Sequence, residues 1–392
     1  MRKLTADWIM PVISEPVKEG VVLVQEDGTI AAIEAREAHA PAELEVYEGV
    51  IVPGFINTHC HLELSHMKGR IDTGTGLLPF LQQVVQFRDI PEAEILAAIE
   101  EADAEMQTEG IVAVGDISNK LDTVAQKEKS PIRYYTFVEM FDFLQDEGAQ
   151  KAFEMYKEAY DGQSASGYNK KAAAPHSPYT VSPSLFARIN QLNGSGDLTV
   201  SIHNQETRHE NEFFLRKQGG FVAFYKAFGF SIEQFQPTGK PSIYYAMQHM
   251  NPEARTLFVH NTMTSAGDIQ AAHDWSEKVY WATCANANLY IENQMPHYQP
   301  FIDNAARMTI GTDSLSSNWQ LSVLEEMKTI ARYQSYIPFE LLLQWATLNG
   351  AKALGYEAEL GSIEPGKRPG LNLLNLGADR RLHPDTRVEK LA

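Results

Sequence analysis

From residue 50 onward, short apolar runs alternate with longer segments of helical periodicity. The runs are VIVPGFIN, GIVAVGDIS, PIRYYTFVE, AAAPHSPYT, LTVSIHNQE, TLFVHN, VYWATCANAN and RMTIGTDS, eight in all. Between them, LPFLQQVVQFRD, AEILAAIEEADAEMQ, EGAQKAFEMYKEAY and LSVLEEMKTIARY repeat apolar residues at the spacing of one buried helical face. Eight strands alternating with helices predict an α/β fold, a (β/α)8 TIM barrel. The first fifty residues instead read as short β pieces such as GVVLVQEDGTIAAIEA, with Asp27 and Gly28 at a hairpin turn. The tail from Gly361 returns to Gly, Pro and short apolar runs. Both chain ends are expected to join in one small, discontinuous, sandwich-like β domain, which divides the chain into 1–52, 53–358 and 359–392. The soft stretch 161–171 is expected to be a surface loop.

Polar residues able to bind a metal recur at the C-terminal ends of these runs. His59 and His61 end the first, His176 the fourth, His203 the fifth, His260 the sixth and Asp313 the eighth. In a parallel barrel that end carries the active site, because its loops converge on one mouth. Residues two apart on a regular strand face the same way, so His59 and His61 aim at one point and Cys60 elsewhere. With His203 and Asp313 they give a set of three nitrogens and one oxygen that leaves room for a water. Glu206, three residues after His203, is the candidate proton shuttle; a carboxylate at the start of the next helix is its plainer reading, one that suits Glu210 better. His260 is expected to contact the attacking water or a tetrahedral intermediate, or to support the ligands from behind. The other seven of the twelve histidines fall in helix or loop patterns.

Composition narrows the partners. Lys plus Arg is 33 and Asp plus Glu 51, a formal charge of −18, the wrong sign for tracking nucleic acid or an anionic membrane surface. The two cysteines, Cys60 and Cys284, are too few for a disulfide scaffold and suit a reduced, cytoplasmic protein. No apolar run approaches 18 residues, and the N-terminal patch is broken by Pro11 and Glu15, so neither a membrane span nor a signal peptide is expected.

Taken together, VPGFINTHCH, HNQETRHE, the HN pair after TLFV, IGTDSLSSN and the terminal GSIEPGKRPG resemble the amidohydrolase superfamily. The likeness is to its mononuclear aminohydrolase and chlorohydrolase branch, which includes guanine, cytosine and S-adenosylhomocysteine deaminases, and it covers nearly the whole chain. It implies one divalent metal, most simply Zn2+ with Fe2+ or Mn2+ also suited, and release of ammonia from a small-molecule amino-heterocycle. It places the metal ligands on His59, His61, His203 and Asp313, the proton shuttle on Glu206, the water-orienting histidine on His260 and a substrate contact on His176 in APHSPYTVS. Ser317 and Asn318, which end the GTDS-X-X-SN motif, are assigned to substrate binding. A homodimer is likewise what the resemblance implies. Dinuclear relatives use a lysine at the end of the fourth strand; here His176 stands there, and Lys170 and Lys171 lie at its beginning. The chain departs from the family where relatives carry Cys-Pro-X-Ser-Asn and it carries Cys284-Ala-Asn-Ala-Asn288.

Two features bear on the substrate. Residues 221–245 hold eight aromatics in 25 residues, readable as a lid over a planar ring or as core packing. The HLELS segment resembles that of aminofutalosine deaminases, which act on an adenine-bearing nucleoside, and puts Glu63 where it reaches sugar hydroxyls or makes a salt bridge. Deamination of an adenine-type nucleoside is the leading expectation. An amidohydrolase or chlorohydrolase working on another C–N or C–Cl bond is the alternative, because the metal shell activates water without selecting the leaving group. A binding protein that has kept the barrel ranks last.

Overall fold

The computed structural model describes residues 1–377 and 379–392. Each of the eight runs supplies one barrel strand: β1 (Phe55–Cys60), β2 (Ile111–Ile117), β3 (Arg133–Met140), β4 (Lys170–Pro175), β5 (Thr199–Asn204), β6 (Arg255–His260), β7 (Val279–Thr283) and β8 (Met308–Ile310). They pair as two four-stranded parallel sheets, β1 to β4 and β5 to β8. Two seams join the sheets into a barrel. At one, the His203 N–H donates to the His176 carbonyl at 3.0 Å; at the other, the N–H groups of Thr312 and Asp313 donate to the His59 carbonyl, each at 3.0 Å. Both seams therefore lie among the residues expected to form the site.

Side chains alternate along the strands as inner and outer faces require. Ala113 and Ile117, Tyr135 and Phe137, and Ala172 and Ala174 share one buried inner cluster, while Tyr134 and Ala173 pack into the layer beneath the helices. Leu257, Val259, Tyr280 and Ala282 form a second inner group, with Phe258 and Trp281 turned outward. The segment 350–355 closes the N-terminal end of the barrel: the Ala353 carbonyl accepts from Thr199 Oγ1 at 2.6 Å, and Leu354 packs with Ile56. Helices form where the periodicity placed them, at Leu77–Phe87, Glu92–Thr108, Ala149–Gly162 and Val323–Tyr333. The last buries Val323, Leu324, Met327 and Ile330, one face at helical spacing, behind a Ser322 side-chain cap.

One expectation needs correction. VIVPGFIN reads as a single strand but is cut at Gly54: Val50–Pro53 pairs antiparallel with Leu371–Leu374 and parallel with Trp8–Ile9, and only Phe55–Cys60 enters the barrel. A Cβ at Gly54 would stand 2.4 Å from Val112 Cγ1 and 2.7 Å from the Pro369 carbonyl oxygen, so the crossing between the two units needs a bare backbone.

The chain ends form an auxiliary domain of two mixed sheets. One runs Ile30–Ala35, Gly20–Val24, Arg2–Thr5, Glu45–Val46; the other runs Val388–Lys390, Leu371–Leu374, Val50–Pro53, Trp8–Ile9, Val17–Lys18. Leu4, Val22, Ile51, Ile363 and Leu371 fill the core between them. The hairpin turns at Asp27 and Gly28, where φ of +87° favours glycine. We propose domain boundaries near residues 52 and 358, with the second joint at Gly361, since Leu360 packs with barrel residues and Ile363 with the small core. Among the described residues, no helix is long and apolar enough to cross a membrane.

Candidate active site

The direction of the β1 histidines depends on an irregularity. Phe55 packs outward and Ile56 inward, so strict alternation would send His59 outward with Phe55. The register against β2 slips by one residue: Asn57 stands opposite Val114, but Cys60 opposite Asp116. That bulge reverses the phase, leaving Cys60 in the outer core and turning His59 and His61 to the barrel axis. His260 has the outward phase of Phe258 and is turned inward by a left-handed backbone (φ +71°); Asp313 also sits at positive φ (+57°).

Four side-chain atoms converge. The Nε2 of His61 is 3.1 Å from Nε2 of His59 and 3.3 Å from Nε2 of His203. The Oδ1 of Asp313 is 3.5 Å and 3.3 Å from the Nε2 atoms of His59 and His61. A tetrahedral ion with bonds of about 2.0 to 2.1 Å has its ligands about 3.3 Å apart. Three imidazole nitrogens crowded together cannot all be satisfied by hydrogen bonds to one another, whereas a cation satisfies every lone pair at once. The cluster is a metal-binding site. Neighbours fix these side chains: His203 Nδ1 donates to the His176 carbonyl at 2.8 Å, which turns Nε2 toward the cluster, and Ser317 Oγ donates to Asp313 Oδ2 at 2.5 Å. Burial pushes His59 well below the usual histidine range and lowers His61, favouring the neutral, ligating form. Burial opposes ionisation of Asp313, but His59, His61 and His260 outweigh it and hold the carboxyl far below the usual range.

Glu206 and His260 face each other across the same space, with Oε2 and Nε2 3.5 Å apart. Tyr179 donates its hydroxyl to the other Glu206 oxygen at 3.0 Å. His260 Nδ1 donates to Asn288 Oδ1 at 2.8 Å, and its Nε2 faces the cavity. The loop bearing Glu206 is held by Glu210, whose two oxygens accept the Gln205 and Glu206 N–H groups at 3.0 Å. Burial and the nearby Glu206 charge push Glu210 up to about 8. Helix Arg208–Arg216 begins only after Glu206, with Thr207 as its cap.

These groups open on one cavity, which His61, Glu63, Glu139, His176, Tyr179, His203, Glu206, His260 and Asp313 line on its polar side. Leu77, Phe80, Leu81 and Val84 from one helix, with Phe141, Phe143, Phe224 and Phe228, form an apolar flank. His176 holds its ring by Nδ1 contacts to Ser177 and Thr180 hydroxyls at 2.9 and 2.8 Å. Glu63 accepts the N–H groups of Asn119 and Lys120 at 3.0 and 3.2 Å and lies 3.6 Å from Arg88; burial pushes it up to about 7 against the Arg88 charge. Ser317 and Asn318 do not line the cavity. Asn318 instead donates to the Thr312 carbonyl and Glu326, both at 2.8 Å, behind Asp313. Lys170 points to the opposite end of the barrel, toward the Gly355 carbonyl. The aromatic stretch divides its duties: Phe221, Tyr225 and Tyr245 are core, while Phe224 and Phe228 wall the cavity and Phe230 stacks on its neighbour Phe143 at 4.4 Å.

Three residues near the site were not singled out in the sequence. Glu139 ends the run PIRYYTFVE in the inward phase of Tyr135 and Phe137, a readable signal. Tyr179 lies within APHSPYTVS, and Asn288 closes the segment that departs from the family pattern. Neither carries a spacing that marks it without the fold.

The profile of the amidohydrolase family matches residues 50–392. The chain belongs to this family, and is a hydrolase acting on C–N bonds. It is 28% identical over 354 residues to an adenosine deaminase of Helicobacter pylori, covering 89% of this chain and 84% of the relative. It is 26% identical over 381 residues to a 5'-deoxyadenosine deaminase of Methanosphaera stadtmanae, covering 93% and 83%. In fold it is similar to Helicobacter pylori aminofutalosine deaminase solved with methylthio-coformycin, at a TM-score of 0.78 and 24% identity over 96% of this chain and 93% of that one.

Proposed function

We propose that this chain is a hydrolytic deaminase of an adenine-type nucleoside. The observation that carries the proposal is the placing of the four-ligand cluster and the Glu206–His260 pair on one wall of a cavity whose flank is apolar and aromatic. The 5'-deoxyadenosine and adenosine deaminases among its relatives support the choice of base, and the HLELS segment with the aminofutalosine deaminase fold makes an aminofutalosine-like nucleoside the first candidate.

His59, His61, His203 and Asp313 would hold one divalent ion, proposed to be Zn2+, with Fe2+ and Mn2+ suited to the same donors. When bound, such an ion supplies Lewis acidity and makes a water acidic enough to ionise near neutral pH. Asp313, oriented by Ser317, takes the proton from the attacking water. His260 accepts at Nε2, because Asn288 fixes the proton on Nδ1, and so orients that water. Glu206 gives a proton to the ring nitrogen beside the attacked carbon, where negative charge develops, and must itself collect that proton from the water or the substrate; the proton taken by Asp313 then passes to the amino group, and the C–N bond breaks to release ammonia. Tyr179 binds one Glu206 oxygen and leaves the other free for this exchange. Phe224 and Phe228 flank the base, His176 contacts it, and Glu63 accepts from sugar hydroxyls. A homodimer in the cytoplasm belongs to the same proposal, on the family resemblance and the two buried free cysteines.

A panel of aminopurine nucleosides, pterins and chloro- or aminotriazines, offered to metal-loaded protein and scored for ammonia and chloride, tests this reading. Ammonia from adenine nucleosides above all others is expected; chloride release, or ammonia only from pterins or triazines, would overturn it.

A further inference from the structure

Glu139 has no part in the chemistry above, yet it is 4% exposed at the mouth end of β3 and lines the cavity. Its Oε1 is buried and makes no well-formed hydrogen bond. A buried carboxylate without donors is costly and persists where a nearby positive charge compensates it. That oxygen lies 3.2 Å from Nδ1 of His203, whose proton is directed to the His176 carbonyl at 2.8 Å. The carboxylate thus stands behind a metal ligand, coupled to it by charge more than by a directed bond.

We propose that Glu139 is a positioning residue for the metal centre, raising its affinity for a divalent ion through His203. Three neutral imidazoles and Asp313 leave a bound dication with one uncompensated positive charge, which Glu139 offsets from behind His203. Its negative charge also favours protonation of His203, the competing event. A dication gains about twice what a proton gains from the same carboxylate at a similar distance, so the balance favours metal. A second ion among Glu139, His176 and His203 is a poorer account, because His203 Nδ1 carries a hydrogen and has no lone pair to give.

The inference rests on the metal-binding reading of the cluster, and zinc binding by the unaltered chain tests that reading first; failure there would sink both. Zn2+ affinity is then measured at neutral pH by competition with a chromophoric chelator, alongside zinc content at saturation and the rise in melting temperature on adding zinc. Glu139→Gln is expected to bind zinc roughly 10- to 100-fold more weakly, still at one ion per chain. The zinc-induced rise in melting temperature should shrink in step, which a packing defect alone would not cause. Glu139→Ala carries the same expectation and decides the matter if the Gln variant does not fold. Glu63→Gln, which removes the other non-catalytic carboxylate of the cavity, should leave zinc affinity within about threefold. Affinities within about threefold of the unaltered chain for the Glu139 variants would overturn the proposal. So would the loss of one ion from a chain that holds two.

Discussion

At the scale of single residues, the site depends on backbone departures and on hydrogen bonds that fix which atom carries a proton. The bulge in β1 aims His59, and left-handed φ values aim His260 and Asp313. Removing the acid function of Glu206 while keeping its shape should therefore spare everything else. Glu206→Gln is expected to keep one metal per chain and to lose about 10²- to 10⁴-fold in kcat, read by ammonia release and elemental analysis. Asp313→Asn should instead damage both metal retention and turnover, since the same carboxylate serves both. Asn288→Leu tests the proton on His260: without the Oδ1 acceptor the ring is free to change tautomer. Turnover should fall by at least about tenfold at full metal content, and unchanged kcat would show that Asn288 only fills space.

At the scale of elements, the eight strands and the main helices were legible because their periods of two and of three to four are imposed by burial on every turn. That His59, His61, His203 and Asp313 would gather was legible for the same reason: they end apolar runs at the mouth of the barrel. What stayed hidden was local. The cut at Gly54 leaves the hydrophobic run unbroken, and the bulge that turns His59 inward has no signature beyond the unusual run Asn57-Thr58-His59-Cys60. Asn318 sits in a motif but turns to Thr312 and Glu326, a direction fixed by tertiary contacts that the chain pattern does not record. Gly311 shows how tightly the β8 end fits against β1, since a Cβ there would lie 2.7 Å from His59 Cβ and 3.0 Å from Cys284 Sγ. Gly311→Ala is expected to destabilise by about 1 to 3 kcal/mol and to weaken metal retention by shifting His59. Denaturant unfolding and metal content check this, and an unshifted midpoint would mean the seam yields more easily than its packing implies.

For the whole molecule, buried acids set the response to pH. Burial pushes Glu326 up to about 8 against the N–H groups of Asn286 and Asn318, and Glu210 lies at about 8 as well. In the unfolded chain both titrate near an ordinary glutamate value of about 4.3. Their contribution is therefore full below about pH 4.3, falls as the unfolded chain ionises, and is gone once pH passes about 8, with an upper bound of ~5 kcal/mol each. His203, buried but held up at about 10 by Glu139, acts in the same direction over the alkaline part of the range. Metal-free protein should lose melting temperature steadily from pH 6 to 9, and Glu326→Gln should flatten that slope. A flat or rising profile in the unaltered chain would contradict the burial argument. The charge of −18 leaves the chain open to a small substrate, because a cation bound at the barrel mouth would locally reverse the sign that the whole surface presents. The central claim, hydrolytic deamination at this metal site, is tested most directly by turning over an adenine nucleoside in heavy-oxygen water with metal-loaded protein. The account predicts one ammonia and one labelled oxygen on the purine ring per turnover, both lost in Glu206→Gln. Release of free adenine, unlabelled product, or full turnover by the Gln variant would contradict it.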